Sequence, residues 1–345
     1  MHPEYLLKRI RGLTVLCTVG AALLLSACGS SSGGGATTNG MADVNVGIAL
    51  SPPKVIFLGP YVAQQQGFFA KEKLNVHFIS MPNGLQTELG TTAGSIDFGF
   101  SSSTDSIEAA AQGAPIHAIW SYGTKLDTEC IGAPGITNAR QLVGQPVGST
   151  GSDGFSITLL QACLEPAGVH LSQVRQIDMT RAEFVPAMTA GKIKAAVFHA
   201  DDAYVITHQL KGATVLQAEY KSRPQWWYGG VAVLDSFAKS HKSVVERFLT
   251  AMMMADRWMN NPANDKALID LGVAKTGEDR AAVAYAVHFN RASGTWPDGV
   301  GLNPASVNYT AGVLYKYKDI RRLPSYSEIV DPSYADQAAA KLGGA

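Results

Sequence analysis

Cysteine is scarce in this 345-residue chain: of four, Cys17 and Cys28 lie near the start, leaving Cys130 and Cys163 in the body. No metal-ligand cluster has the right spacing, since His77, His117, His170, His199, His208 and His288 are dispersed. No metal and no cofactor is expected. Charge of one sign is also lacking, with 28 Lys+Arg against 28 Asp+Glu. That balance gives no electrostatic reason to expect nucleic acid, but leaves room for a small acidic ligand held by local charge. The motifs Gly-x-Ser-x-Gly, His-Glu-x-x-His and Gly-x-Gly-x-x-Gly are missing, so no enzyme is expected. The apolar run at 12–27 has 16 residues, short for a membrane-spanning helix.

What is present begins at that run. Lys8, Arg9 and Arg11 precede it, and Leu25-Ser26-Ala27-Cys28 close it before Gly29. A positive flank, an apolar core and a small-residue exit make a secretory signal. The segment resembles a bacterial lipoprotein signal with its lipobox. The resemblance implies cleavage before Cys28, lipid on its sulfur and tethering outside the cytoplasmic membrane; an ordinary secretory signal with an incidental Cys28 is the alternative. A lipid chain contributes roughly 0.8 kcal/mol per buried CH2, and two or more chains make a stable anchor. Losing Lys8, Arg9, Arg11 and Glu4 with the signal shifts the formal charge from 0 to −2. Residues 30–40, rich in Ser, Gly, Thr and Asn, bury too little apolar surface to order themselves and read as a flexible tether. An extracytoplasmic location permits a disulfide between Cys130 and Cys163, worth roughly 3–4 kcal/mol on the chain-entropy argument. Two buried thiols are the alternative.

The body alternates strand and helix. Strands are predicted at 43–50, 74–79, 96–100 and 116–121, with helices at 56–66, 86–92 and up to 111 between them. The rhythm restarts with strands at 145–148, 174–178, 195–199 and 214–218 around helices at 155–167 and 183–190. A short strand at 231–234 precedes helical segments at 243–260, 266–271 and 279–288. Met252-Met253-Met254 sits on the first of these as core filler. The pattern implies an α/β protein of two lobes with a parallel-sheet rhythm.

Tyr61-Val62-Ala63-Gln64-Gln65-Gln66-Gly67-Phe68-Phe69, followed by Leu74-Asn75-Val76, resembles the opening of the NMT1/THI5-like periplasmic solute-binding proteins for nitrate, sulfonates, taurine and thiamine precursors. Gly94-Ser95-Ile96-Asp97-Phe98-Gly99 is similar to the next landmark, and residues 188–197 to a helix–Gly–strand segment, with Lys194 where an Asp is usual. Glu278-Asp279-Arg280 and Trp296-Pro297-Asp298-Gly299 resemble the C-terminal region. The resemblance implies the two-lobe periplasmic binding protein fold (type II), with a ligand cleft between lobes. The expected organisation is a signal at 1–27, a tether at 28–42, lobe I from 43–124, lobe II from 125–225 and a return to lobe I over 226–345. It also implies a monomer that delivers its ligand to the permease of an ABC transporter, located outside the cytoplasmic membrane, on the cell membrane or facing the periplasm.

Such sheets bind ligands beyond the carboxyl ends of their strands, where helix N-termini favour anions. Four loops are selected. Ser51 leads the first, with Phe57 and Tyr61 as an apolar wall. Asn83, beside Gly84, offers a donor and an acceptor in the second. Ser102 and Ser103 offer hydroxyls in the third, where Asp105 would oppose an anion if it pointed inward. Thr150 and Ser152 mirror them in the fourth. Arg181 can hold a carboxylate in a bidentate pair, and His199 ends a strand. From Trp226-Trp227-Tyr228, where the chain crosses back, one ring is expected in the pocket; Tyr122 is its counterpart at the first crossing. For each, packing, capping or solvation is the plainer role. The expected ligand is a small organic solute, an anionic or aromatic carboxylate or sulfonate. The alternatives are a thiamine-precursor pyrimidine, or a tethered sensory protein feeding a receptor.

Overall fold

Val44, Val46 and Ile48 alternate with Asp43, Asn45 and Gly47, and the strand they form buries the apolar set. In the computed structural model, which describes residues 37–38, 40–151 and 154–343, this is one of eleven strands among the described residues. Those are β1 (Thr37–Thr38), β2 (Met41–Ala49), β3 (Leu74–Met81), β4 (Phe98–Ser102), β5 (Ile116–Gly123), β6 (Thr128–Gly132), β7 (Pro146–Ser149), β8 (Arg175–Asp178), β9 (Ala195–His199), β10 (Thr214–Ala218) and β11 (Gly229–Leu234). The signal, Cys28, most of the tether and Ser152 lie outside the described residues.

The strands form two sheets. The first has the order β1-β2-β4-β11-β5, with β3 also on β2; the second has the order β10-β6-β9-β7-β8. The chain leaves the first sheet after β5, at residues 124–127, and returns at 219–228 to enter it as β11. The parallel rhythm expected from sequence holds for part of each sheet. β2 pairs in parallel with β3 and β4, and β7 with β8 and β9, but β11 is antiparallel to both β4 and β5. Likewise β6 is antiparallel to β9 and β10. Apart from the two-residue β1, which is antiparallel to β2, the reversed strand in each sheet is the one that follows a crossing, because a chain arriving from the other sheet enters from the opposite end.

Both sheets are covered by helices. The helix Lys242–Asn260 buries Val245, Phe248, Leu249 and Met252 on one face, and Phe248 stacks on Phe98 of β4 at 3.8 Å. Met252 and Met253 are buried there and Met254 is half-buried. A separate cluster, including Ile131, Phe184, Met188, Ile193 and Phe198, fills the space behind the second sheet. Cys130 of β6 is joined to Cys163 of the helix Phe155–Leu164 by a disulfide, with Cα atoms 6.2 Å apart. No helix among the described residues is long and apolar enough to cross a membrane.

Candidate ligand-binding site

The carboxyl ends of β2, β3 and β4 face those of β7, β8 and β9, and a cavity lies between them. It has room for water centres of ≈ 90 Å³, where a single water needs about 10–15 Å³. On the first-sheet side, Ser102 ends β4 and caps the helix Ser103–Ala111. Its hydroxyl donates to Asp105 Oδ2 at 2.5 Å, its N–H donates to the same oxygen at 3.2 Å, and it accepts from the Asp105 N–H at 3.3 Å. This reciprocal cap fixes Asp105 at the cavity wall. Gly84, opening the helix Gly84–Thr92 beside its cap Asn83, makes room for it: a Cβ at 84 would stand 1.9 Å from Asp105 Oδ2.

On the second-sheet side, Thr150 and Gly151 follow β7, and the Gly151 N–H donates to Asp178 Oδ1 at 2.7 Å. Gly154 opens the helix Phe155–Leu164 at φ +80°, and a Cβ there would be 3.6 Å from Asp105 Oδ1. Loops of both sheets therefore meet at Asp105. His199, at the end of β9, has Nδ1 3.0 Å from Asp127 Oδ1 and 3.3 Å from the Tyr228 hydroxyl. The hydroxyls of Tyr122 and Tyr228 are held neutral, because burial pushes their pKa values well above 10. Tyr122 donates to the Ser101 carbonyl at 2.9 Å.

Arg181 carries the cavity's positive charge. It is 8% exposed, its Nη1 donates to the Val197 carbonyl at 2.5 Å, and its guanidinium lies 4.7 Å from the Phe184 ring centre. Burial lowers its pKa against the fields of Asp202, Tyr228, Asp127 and Asp201. No carboxylate among the described residues pairs with it, and its Nε has no acceptor. A buried guanidinium with carboxylates nearby but none in direct contact is poised for an anionic group. Arg181 and Leu50 also border a second cavity, lined by Ser51 and Lys54.

Phe57, Asn83, Ser102, Tyr122, Thr150, Arg181 and His199 line the inner cavity, and Ser51 the outer one. Four expected residues line neither. Tyr61 packs on Phe78, ring centres 4.8 Å apart, with the Lys275 ammonium 5.0 Å from its ring. Ser103 is wholly buried, its N–H donating to the Tyr228 carbonyl at 2.8 Å. Trp226 and Trp227 have no exposed surface, and the Trp227 indole N–H donates to Ser121 Oγ at 3.1 Å. They are core residues; the ring of that run which reaches the cavity is Tyr228. Glu108 and Phe155, unassigned from sequence, also line it. Glu108 was detectable in principle, because it lies three residues beyond Asp105 on the same helix face.

Two sheets joined by two crossings, with a cavity between their strand ends, make the periplasmic binding protein fold, and solved structures agree. The ligand-binding component of an ABC-type import system from Staphylococcus aureus, with zinc bound, is 14% identical, with a TM-score of 0.72 over 86% of this chain and 98% of that one. The alkanesulfonate-binding protein SsuA from Xanthomonas axonopodis pv. citri, bound to MOPS, is 16% identical, with a TM-score of 0.70 over 84% and 98%. The nitrate-binding protein NrtA from Synechocystis PCC 6803 is 11% identical, with a TM-score of 0.70 over 88% and 89%. The NMT1/THI5 like family matches residues 55–264, more than half of the chain, and the protein belongs to that family. No curated protein sequence matches it.

Proposed function

We propose that this protein is the extracytoplasmic solute-binding component of an ABC importer, tethered through lipid on Cys28. It captures a small organic acid, a carboxylate or sulfonate, between its two sheets and delivers it to a permease. The observation that carries this reading is Arg181: a buried guanidinium in the cavity, with no carboxylate paired to it. An acid group supplies the direct ion pair that the nearby carboxylates do not make, and contact with loops of both sheets favours the closed arrangement. No covalent step is required of any residue.

A second reading has its own support. Phe57, Tyr122, Phe155 and Tyr228 make aromatic walls, and Asp105 and Glu108 place carboxylates beside them. Those features suit an aminopyrimidine of the thiamine-precursor type, which stacks and donates.

Calorimetric titration with short carboxylates, sulfonates, nitrate and an aminopyrimidine separates the two. Under the first reading an acid binds, and Arg181→Met weakens it by about 2 kcal/mol, roughly thirtyfold, the value of a hydrogen-bonded charged contact. If an acid binds the Arg181→Met variant as tightly as the parent protein, Arg181 is not its seat. Binding of the pyrimidine alone selects the second reading.

A further inference from the structure

The inner cavity offers ≈ 90 Å³ for water centres, while the outer one beyond Arg181 offers ≈ 320 Å³. The two meet at Leu50 and Arg181. Apolar walls of the outer cavity come from both sides of the cleft: Pro52 and Pro82 from loops of the first sheet, Ala182 and Val185 from beyond β8 in the second. Its floor is charged. Lys54 and Asp202 are 4% and 2% exposed, and Lys54 Nζ donates to Asp202 Oδ1 at 2.7 Å and to Glu278 Oε1 at 3.0 Å.

Those contacts leave acceptors in surplus. One oxygen of Asp202 and one of Glu278 are taken by Lys54. The remaining oxygen of Asp202 is buried with no donor. Asp201, behind the floor, has both oxygens occupied, accepting the Val55 N–H at 3.3 Å and the Asp202 N–H at 3.0 Å, and adds only its charge. The Glu278 side chain keeps 23% of its surface exposed, so the acidic floor is open at that point. Buried acceptors without donors are costly, and a bound group that brings a donor recovers part of that cost.

We propose that the outer cavity is a second compartment of the binding site, taking the ammonium or hydroxyl end of an elongated solute whose acid group sits at Arg181. The carbon chain lies along Pro52, Pro82, Ala182 and Val185, and the terminal donor meets Glu278. This rests on the acid-binding reading above and narrows it to acids that carry a donor at the far end.

The test is calorimetry on the purified protein with two matched series of straight-chain acids of increasing length, one ending in a methyl group and one in an amine. The amine-ended members gain affinity as they lengthen, reaching about tenfold over their methyl-ended partners. Two variants probe the compartment. Ala182→Trp fills it from its exposed wall, and Glu278→Gln removes the charge at its mouth while keeping an acceptor for Lys54. Each abolishes the amine preference and leaves the shortest acid bound as before. Equal affinity of the two series overturns the second compartment while the acid reading stands, as does an unchanged amine preference in both variants. If no acid in either series binds, both readings fail together.

Discussion

Glu88 and Glu219 show what single buried acids do to this fold. Glu88 accepts from Ser101 and Ser106, and Glu219 from Thr128, yet each keeps one oxygen without a donor. Burial pushes Glu88 to about 7, against its two serine hydrogen bonds, and Glu219 to about 8, against Thr128, Arg223 and Arg181. Between the ordinary value of 4.5 and these raised values, the folded protein holds protons that the unfolded chain has released. Stability therefore falls as pH rises through that window, by up to roughly 1.4 kcal/mol per pH unit for each group, and levels off above it. Scanning calorimetry should show the melting temperature dropping between about pH 5 and pH 8. Glu88→Gln keeps the serine contacts and flattens the fall below about 7; Glu219→Gln flattens it further, up to about 8. A melting temperature that rises steadily across this range contradicts the assignment.

At the scale of elements, local pattern carried the fold until long-range pairing decided the outcome. Strands at 195–199 and 214–218 are legible because each is a short apolar or β-branched run between turn signals, and both occur with those bounds. β6 was not legible. Thr128-Glu129-Cys130-Ile131-Gly132 has no alternation long enough to read, and becomes a strand only by lying between β10 and β9. The helix Ala200–Gln209 follows β9 with no intervening loop and no side-chain cap, so its start was marked only by the acidic first turn of Asp201 and Asp202. At the site, helix starts and strand ends pointed to Ser102, Thr150 and Arg181. What the pattern could not reveal was burial, which sends Trp226 and Trp227 into the core and leaves the Arg181 Nε without an acceptor. Gly84 tests this level of organisation. Gly to Ala within a helix normally stabilises by up to about 1 kcal/mol. Here the new Cβ would collide with Asp105, whose position is set by its cap with Ser102. Gly84→Ala is expected to lower stability by about 1 kcal/mol through loss of that cap, and to weaken solute binding with it. A raised melting temperature would show that Asp105 is free to move.

For the whole molecule the question is what holds the two sheets together around the cavity. On one side, Glu165 of the second-sheet region accepts from Arg223, Tyr317 and Lys316. Burial alone would raise the Glu165 pKa, but these donors outweigh it and hold the carboxyl at about 2. On another, Lys54, in the segment after β2, reaches Asp202 in the helix that follows β9. The two groups differ in burial, and that decides their weight. The side chains of Lys316 and Glu165 keep 65% and 30% of their surface, whereas those of Lys54 and Asp202 keep 5% and 4%. A screened pair contributes little, but removing one partner of a buried pair costs roughly 3–5 kcal/mol because the other charge is stranded. Lys54→Met should therefore destabilise the protein by an amount in that range at neutral pH, and a wider average cleft should appear as a larger radius of gyration in small-angle scattering. The loss must also depend on pH. Burial already raises Asp202 above its ordinary range while Lys54 opposes the rise. Without Lys54 the folded-state pKa climbs further, and an acid raised in the folded state weakens the fold only as pH rises from its unfolded to its folded value. The deficit of Lys54→Met, measured by denaturant unfolding, should be small near pH 4, where Asp202 is neutralised, and reach its full size above the raised pKa. A deficit that is constant across this range would mean that packing of the Lys54 stem, and not its charge, holds the sheets together.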